Sequence, residues 1–334
     1  MPRERDIGTR VEEKIDPSRV SAMCPGQGSQ FGGMALELLS SPAAKRTLEE
    51  ADDVLGFKLS YLMINGSDQE LRQTEIAQPA LLTTSVASQR ALEEQLGRKL
   101  NPISVSGHSV GLYPTLVLTD VLDFPTALNV VNKRGKLMKE ASIQNPGTMG
   151  AILGLDLSTV EGICRETGAE IANINTSRQI VVSGGIREVA WTLDLAVASR
   201  GKKVELVVSG AFHSSFMQYA RKGLREVVSD IHFNDPTVPI AANTRPEMLT
   251  KGEEIKEELV KGMCEPVRWH ASVERMIKGG TKAFIEVGPK DVLSKMVKQI
   301  DRNVNVFSVN SFESARKLAQ LLQQPANLNN PLSA

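Results

Sequence analysis

Between Ser104 and Gly111 the chain reads Ser-Val-Ser-Gly-His-Ser-Val-Gly, a short strand-like run that ends in G-x-S-x-G. No other stretch constrains the backbone as much, because this one asks a β-strand to become a helix within a few residues. Gly107 and Gly111 permit a sharp turn and a close approach of strand and helix, which leaves the Ser109 hydroxyl at a helix N-terminus. The Val110 amide is then placed to stabilise a developing oxyanion. The same pattern also describes an ordinary strand-to-helix turn whose serine only caps the helix. The motif therefore needs partners before it carries chemistry.

The 334 residues suit one large domain with an insert, or two domains, with enough chain for a sizeable core. Lys plus Arg and Asp plus Glu both number 39, so no basic field points to nucleic acid or an anionic membrane as partner. Cys24, Cys164 and Cys264 are far apart, with neither metal-ligand spacing nor a disulfide framework. No apolar run approaches the roughly 20 residues that span a bilayer, and the first 17 residues are charged rather than signal-like. A cytoplasmic protein that binds no metal is expected.

Taken in order, residues 1–17 read as a loose extension, followed by an apolar strand over Arg19–Cys24. Pro25-Gly26-Gln27-Gly28-Ser29-Gln30 is a turn at the C-terminal end of that strand, where open α/β sheets bind ligands. Helices are predicted over Met34–Leu39 and Pro42–Val54, and another opens with Pro79 in its first turn and stops at Gly97. Asp123-Phe124-Pro125 caps a helix to about Ala141 that carries Arg134.

From residue 145 to 207 the elements run strand, helix, strand, strand, helix, strand, which is the split βαβ, ferredoxin-like order. The expected fold is thus α/β: a large domain over residues 18–144 and 208–322, interrupted by this small subdomain, with a mobile tail over 323–334. Further strands are predicted at Val238–Ala242, Ala283–Val287 and Val304–Val309. The remaining helices fall over Glu253–Met263, Trp269–Lys278, Asp291–Ile300 and Phe312–Leu322.

Four histidines are available to activate Ser109. His108 is its sequence neighbour and diverges from it on a sharp turn. His232 sits in an apolar stretch, and His270 follows Trp269 at a helix start, where it can act as a cap. His213, in the loop Ser209-Gly210-Ala211-Phe212-His213-Ser214 just beyond the small subdomain, is the best candidate to reach the elbow across a cleft.

Several motifs now stand in one order: Pro25-Gly26-Gln27-Gly28-Ser29-Gln30, Ala77-Gln78-Pro79-Ala80-Leu81, Gly107-His108-Ser109-Val110-Gly111, Arg134-Gly135, Gly210-Ala211-Phe212-His213-Ser214, Pro266-Val267-Arg268-Trp269 and Glu286-Val287-Gly288-Pro289. Together they resemble the malonyl-CoA:acyl carrier protein transacylases and the related acyltransferase domains of polyketide synthases, over roughly residues 20 to 310. The resemblance implies an α/β-hydrolase-like large domain with the ferredoxin-like insert, and ping-pong acyl transfer in fatty acid or polyketide biosynthesis. It implies malonyl-CoA as a thioester substrate rather than a bound cofactor, and acyl carrier protein as partner. By the same resemblance Ser109 is the nucleophile and His213 the general base, with the amides of Gln27 and Val110 lining the oxyanion hole. Arg134 meets the malonyl carboxylate, a task suited to its planar fork, while Gln78 and Phe212 also contribute to substrate binding.

The family orients its histidine by a backbone carbonyl, often that of a Gln four residues before the Pro-Val-Arg-Trp proline; this chain has Gly262 there, and a carbonyl survives the replacement. Other departures are Leu112 in place of a usual acidic residue, Cys24 in place of an aromatic one, and Lys290-Asp291 in place of Gly-Lys. They bear on acyl choice and carrier recognition. A carrier-protein thioester hydrolase, a transferase for another acyl group and a non-catalytic carrier-docking protein remain open on the same scaffold.

Overall fold

The computed structural model describes residues 15–323. Most of the extension and of the tail expected from the sequence lie outside these residues. Of the extension, Ile15 is buried, and Pro17–Arg19 form a short 3-10 turn capped by Asp16.

The first strand, β1 (Val20–Cys24), is buried at every residue, as suits a strand covered on both faces by helices. After it come α1 (Pro42–Leu55), α2 (Leu59–Asn65), α3 (Asp68–Arg72) and α4 (Thr74–Leu96). The short β2 (Val105–Gly107) enters the elbow, and α5 (Leu112–Leu118) and α6 (Phe124–Gln144) leave it. Helix α4 starts at Thr74, so Pro79 lies inside it rather than in a first turn. Proline removes only the bond that its amide would make to the Glu75 carbonyl, one turn from the helix start. Buried at 17 of its 23 residues, α4 runs through the core, and its Ala, Ser and Thr residues let neighbours close on all sides. At Gly135 of α6 an added Cβ would lie 2.9 Å from the Glu75 Cα, so these two helices touch backbone to backbone beside Arg134. Two short helices, α2 and α3, precede α4, and the predicted helix Met34–Leu39 contains only a 3-10 turn, over Leu36–Leu38.

The middle of the chain forms a sheet of its own, from β3 (Thr148–Leu153), α7 (Leu157–Thr167), β4 (Glu170–Thr176), β5 (Gln179–Gly184), α8 (Ile186–Ala198) and β6 (Lys202–Glu205). Its strand order is β4-β5-β3-β6, antiparallel throughout. Strand alternation sorts its side chains: Ile152, Ile180 and Val182 pack under α7 and α8, whereas Met149, Ala151 and Val181 join the main core.

The chain then returns to the first sheet through α9 (Gln218–Val228), β7 (Ile240–Ala241), β8 (Met248–Leu249), α10 (Gly252–Lys261), α11 (Trp269–Lys278), β9 (Ala283–Val287), α12 (Val292–Ile300), β10 (Asn305–Val309) and α13 (Phe312–Gln323). This sheet has the order β10-β9-β1-β2-β7-β8, parallel except for the β7–β8 pair. The molecule is α/β with one mixed and one antiparallel sheet, and β1 and β2 are adjacent and parallel, so their C-terminal ends lie side by side.

Candidate active site

Close approach shapes the elbow. A Cβ on Gly107 would lie 1.9 Å from the Gly111 carbonyl oxygen, and one on Gly111 would lie 2.1 Å from that of Cys24, so neither position admits a side chain. Ser109 is held at φ 55°, in the left-handed region that a serine seldom occupies. Asn243, just past β7, supplies the restraint: its Oδ1 accepts the Ser109 amide at 2.8 Å, and its Nδ2 donates to the Gly107 carbonyl at 2.8 Å. A single side chain therefore clamps both arms of the turn.

His213 also has a left-handed backbone, φ 57°, and its ring lies against the serine. Its Nε2 is 2.8 Å from Ser109 Oγ, and its Nδ1 is 2.7 Å from the Gly262 carbonyl oxygen at the end of α10. A carbonyl can only accept, so Nδ1 carries the proton and Nε2 is free to take one from the hydroxyl. Burial, the charge of Arg134 and the nearby His108 depress the His213 pKa to about 3. The imidazole is thus a neutral base. His108 faces away from the serine and meets Asn175 Oδ1 at 2.9 Å, with its ring beside Trp269. His232 is exposed, and His270 lies partly exposed near Glu274.

Arg134 is almost fully buried, 3% exposed, on the face of α6 that looks toward the elbow. Its Nη1 donates to Gln78 Oε1 at 2.5 Å and its Nη2 to Ser109 Oγ at 3.2 Å, while its Nε has no partner among the described residues. Nor does a carboxylate of the described residues offset its charge; only the Tyr113 ring, 5.6 Å from Cζ, lies against it. Desolvation accordingly lowers its pKa. A buried guanidinium without a counter-ion is costly, and a bound anion would relieve the cost.

Gln78 lies behind the arginine rather than on the cavity wall: its Nε2 donates to Thr74 at 2.8 Å and contacts the Met138 sulfur, so its carbonyl aims Arg134. The cavity itself, about 250 Å³, is walled by Gln27, Ser109, Val110, Arg134, Phe212 and His213. Gln27 is steadied through its side chain, which accepts from Thr74 Oγ1 at 3.1 Å. Among the described residues neither the Gln27 nor the Val110 amide donates to a protein acceptor. Phe212, 5% exposed, closes the wall next to His213.

The sequence-predicted residues thus converge, apart from Gln78, whose side chain meets Arg134 from behind. Sequence reasoning missed Asn243 and Glu258, the latter a buried carboxylate that accepts the Asn243 amide at 2.7 Å. The one available signal was that Asn243 follows the predicted strand Val238–Ala242 at its C-terminal end, where ligand-facing residues collect.

Residues 23–323 match the family model described as "Acyl transferase domain". The chain is 38% identical over 314 residues to the malonyl CoA-acyl carrier protein transacylase of Bacillus subtilis (strain 168), covering 92% of this chain and 98% of that one. It is 37% identical over 306 residues to the transacylase of the same name from Staphylococcus aureus (strain COL), covering 90% and 98%. Among solved structures, the malonyl CoA-acyl carrier protein transacylase of Coxiella burnetii superposes with a TM-score of 0.88 at 34% identity, over 92% of this chain and 99% of that one. A malonyl-transacylase in complex with its type II PKS acyl-carrier protein gives 0.87 at 34% identity, over 91% and 99%.

Proposed function

The chain belongs to the acyl transferase domain family, and from that premise we propose that it moves a malonyl group from CoA to the phosphopantetheine thiol of an acyl carrier protein. One observation carries the reading: Ser109 Oγ hydrogen-bonds at once to a neutral imidazole and to a buried arginine that has no counter-ion among the described residues. A nucleophile, a base and a carboxylate receptor thus meet at one oxygen.

In the first half-reaction the Ser109 proton passes to His213 Nε2 as Oγ attacks the thioester carbonyl. The amides of Gln27 and Val110 receive the oxyanion, the C–S bond breaks, and the CoA thiolate takes the proton back from His213. In the second the carrier thiol gives its proton to His213 and attacks the malonyl-serine ester, and Ser109 leaves as the protonated alcohol. The Gly262 carbonyl holds the ring in the required tautomer throughout.

Incubation with malonyl-CoA, with and without carrier protein, tests the reading. Malonyl-carrier is expected only when carrier is present; free malonate formed equally in both would make the protein a hydrolase, and no product would make it a docking protein. The pathway served is fatty acid or polyketide biosynthesis. The site of action is the cytoplasm, a reading supported by three unpaired cysteines. No helix among the described residues is long and apolar enough to cross a membrane. We read residues 18–144 and 208–322 as an α/β-hydrolase-like domain and 145–207 as a ferredoxin-like subdomain, because the latter's strand order and antiparallel pairing suit that unit.

The His213 environment adds a pH prediction. A pKa depressed by burial keeps the base unprotonated well below the ordinary value of about 6.5, so kcat/KM, which reports the free enzyme, is expected to stay level from about pH 8 to about pH 5. A fall centred near 6.5 would mean that water reaches the imidazole in the working enzyme.

A further inference from the structure

Helix α10 reaches the dyad by two routes, one direct and one through Asn243. At its end, the Gly262 carbonyl holds His213 Nδ1 at 2.7 Å. One turn earlier the Glu258 side chain, 1% exposed, gathers the segment after β7: its Oε1 accepts the Asn243 and Thr244 amides, each at 2.7 Å, and its Oε2 accepts the Thr244 hydroxyl at 2.6 Å. Arg245 Nη1 stands 3.8 Å away. The Asn243 side chain then clamps Gly107 and Ser109 as described, while the Gly262 amide donates to the Glu258 carbonyl at 2.8 Å, so the two anchor points share one helical turn.

We infer that Glu258, acting through Asn243, is a positioning residue that sets the nucleophile in register with its base; the inference rests on the acyl-transfer reading of Ser109 and His213. The physical ground is the strained serine. At φ 55° the Ser109 backbone relaxes unless both flanking groups are held, and the side-chain amide that holds them is carried on a residue whose backbone amide is anchored on Glu258 at 2.7 Å and whose carbonyl accepts the Arg268 amide at 2.7 Å. A carboxylate is an expensive group to bury, and here all its short bonds go to the segment that grips the elbow. Base and nucleophile thereby take their coordinates from the same piece of α10. A carboxylate that merely capped the loop after β7 would change stability and leave the reacting atoms in place.

The test is single-turnover acylation of the full chain by malonyl-CoA, followed by rapid quench and mass spectrometry, with thermal melting in parallel. Glu258→Ala is expected to lower the maximal acylation rate about ten- to a hundredfold, the order expected for a misplacement near 1 Å, and to leave the half-saturating malonyl-CoA concentration within about twofold. Glu258→Gln should recover most of that loss, because its carbonyl still accepts the two amides and its NH₂ can donate to the Thr244 hydroxyl. If the alanine variant does not fold, Asn243→Asp carries the test. It keeps the volume and the acceptor for Ser109 but sets an oxygen against the Gly107 carbonyl, and a similar rate loss is expected. Wild-type acylation rates in Glu258→Ala and Asn243→Asp, or a loss confined to half-saturation, overturn the inference. A wild-type protein that forms no adduct overturns the acyl-transfer reading instead, so the two failures are told apart.

Discussion

Ser109→Ala is expected to form no malonyl adduct, whereas the wild type gains one on mixing with malonyl-CoA. The substitution removes a single hydroxyl from an elbow whose shape is set by Gly107, Gly111 and the Asn243 clamp, none of which it touches. Melting should therefore stay near the wild-type value. His213→Ala leaves the hydroxyl in place but without a base, and general-base assistance is worth about 10² to 10⁴ in rate, so a slow adduct should still accumulate. Intact-protein mass spectrometry over time distinguishes the two variants. Equal labelling of Ser109→Ala would move the nucleophile elsewhere, and near-normal labelling of His213→Ala would leave the 2.8 Å contact without a catalytic part.

Arg134→Ala should cost about tenfold to a few hundredfold in kcat/KM for malonyl-CoA, the worth of a charge-assisted bidentate contact in a water-poor site. Acetyl-CoA offers no carboxylate, so its slow transfer should hardly change. The structure sharpens this expectation. Nη2 rests on Ser109 Oγ, Nη1 is committed to Gln78, and Nε has no partner among the described residues, so the guanidinium is already aimed but not neutralised by any of them. Lysine should rescue only partly, because it keeps the charge without the fork that Gln78 holds in plane. Phe212 narrows the wall beside His213, and methylmalonyl-CoA should be a poorer substrate than malonyl-CoA for that reason. Measuring kcat/KM for the three thioesters on wild type and Arg134→Ala decides the matter; an equal loss on acetyl and malonyl would make the arginine structural.

Much of this was legible in the chain before any coordinates. The glycine spacing around Ser109 demands a sharp turn by local sterics alone, and the order of strands and helices over residues 145–207 follows from hydrophobic period and turn residues, which act over a few positions. Strand β9 and helix α11 fall over the residues expected of them, for the same reason. Local signals failed where burial overrides propensity. Pro79 reads as a helix opener, yet α4 begins at Thr74 because its first turn is packed against Gly135 of α6. Gln78 reads as a substrate contact and instead lies behind Arg134.

The chain singles out His213 among its four histidines, but only the tertiary structure brought it to Ser109, 104 residues away, at 2.8 Å. It alone lowered the imidazole pKa, since desolvation and the field of Arg134 are sums over neighbours from distant parts of the chain. Glu258 and Asn243 carry no motif at all, and their role exists only where the turn after β7, the elbow and α10 meet. The sequence by itself determined which chemistry-bearing groups are present and how the elbow must bend. Their distances, protonation states and supports arise from packing across the two sheets, because those quantities depend on what lies beside a residue in space rather than along the chain.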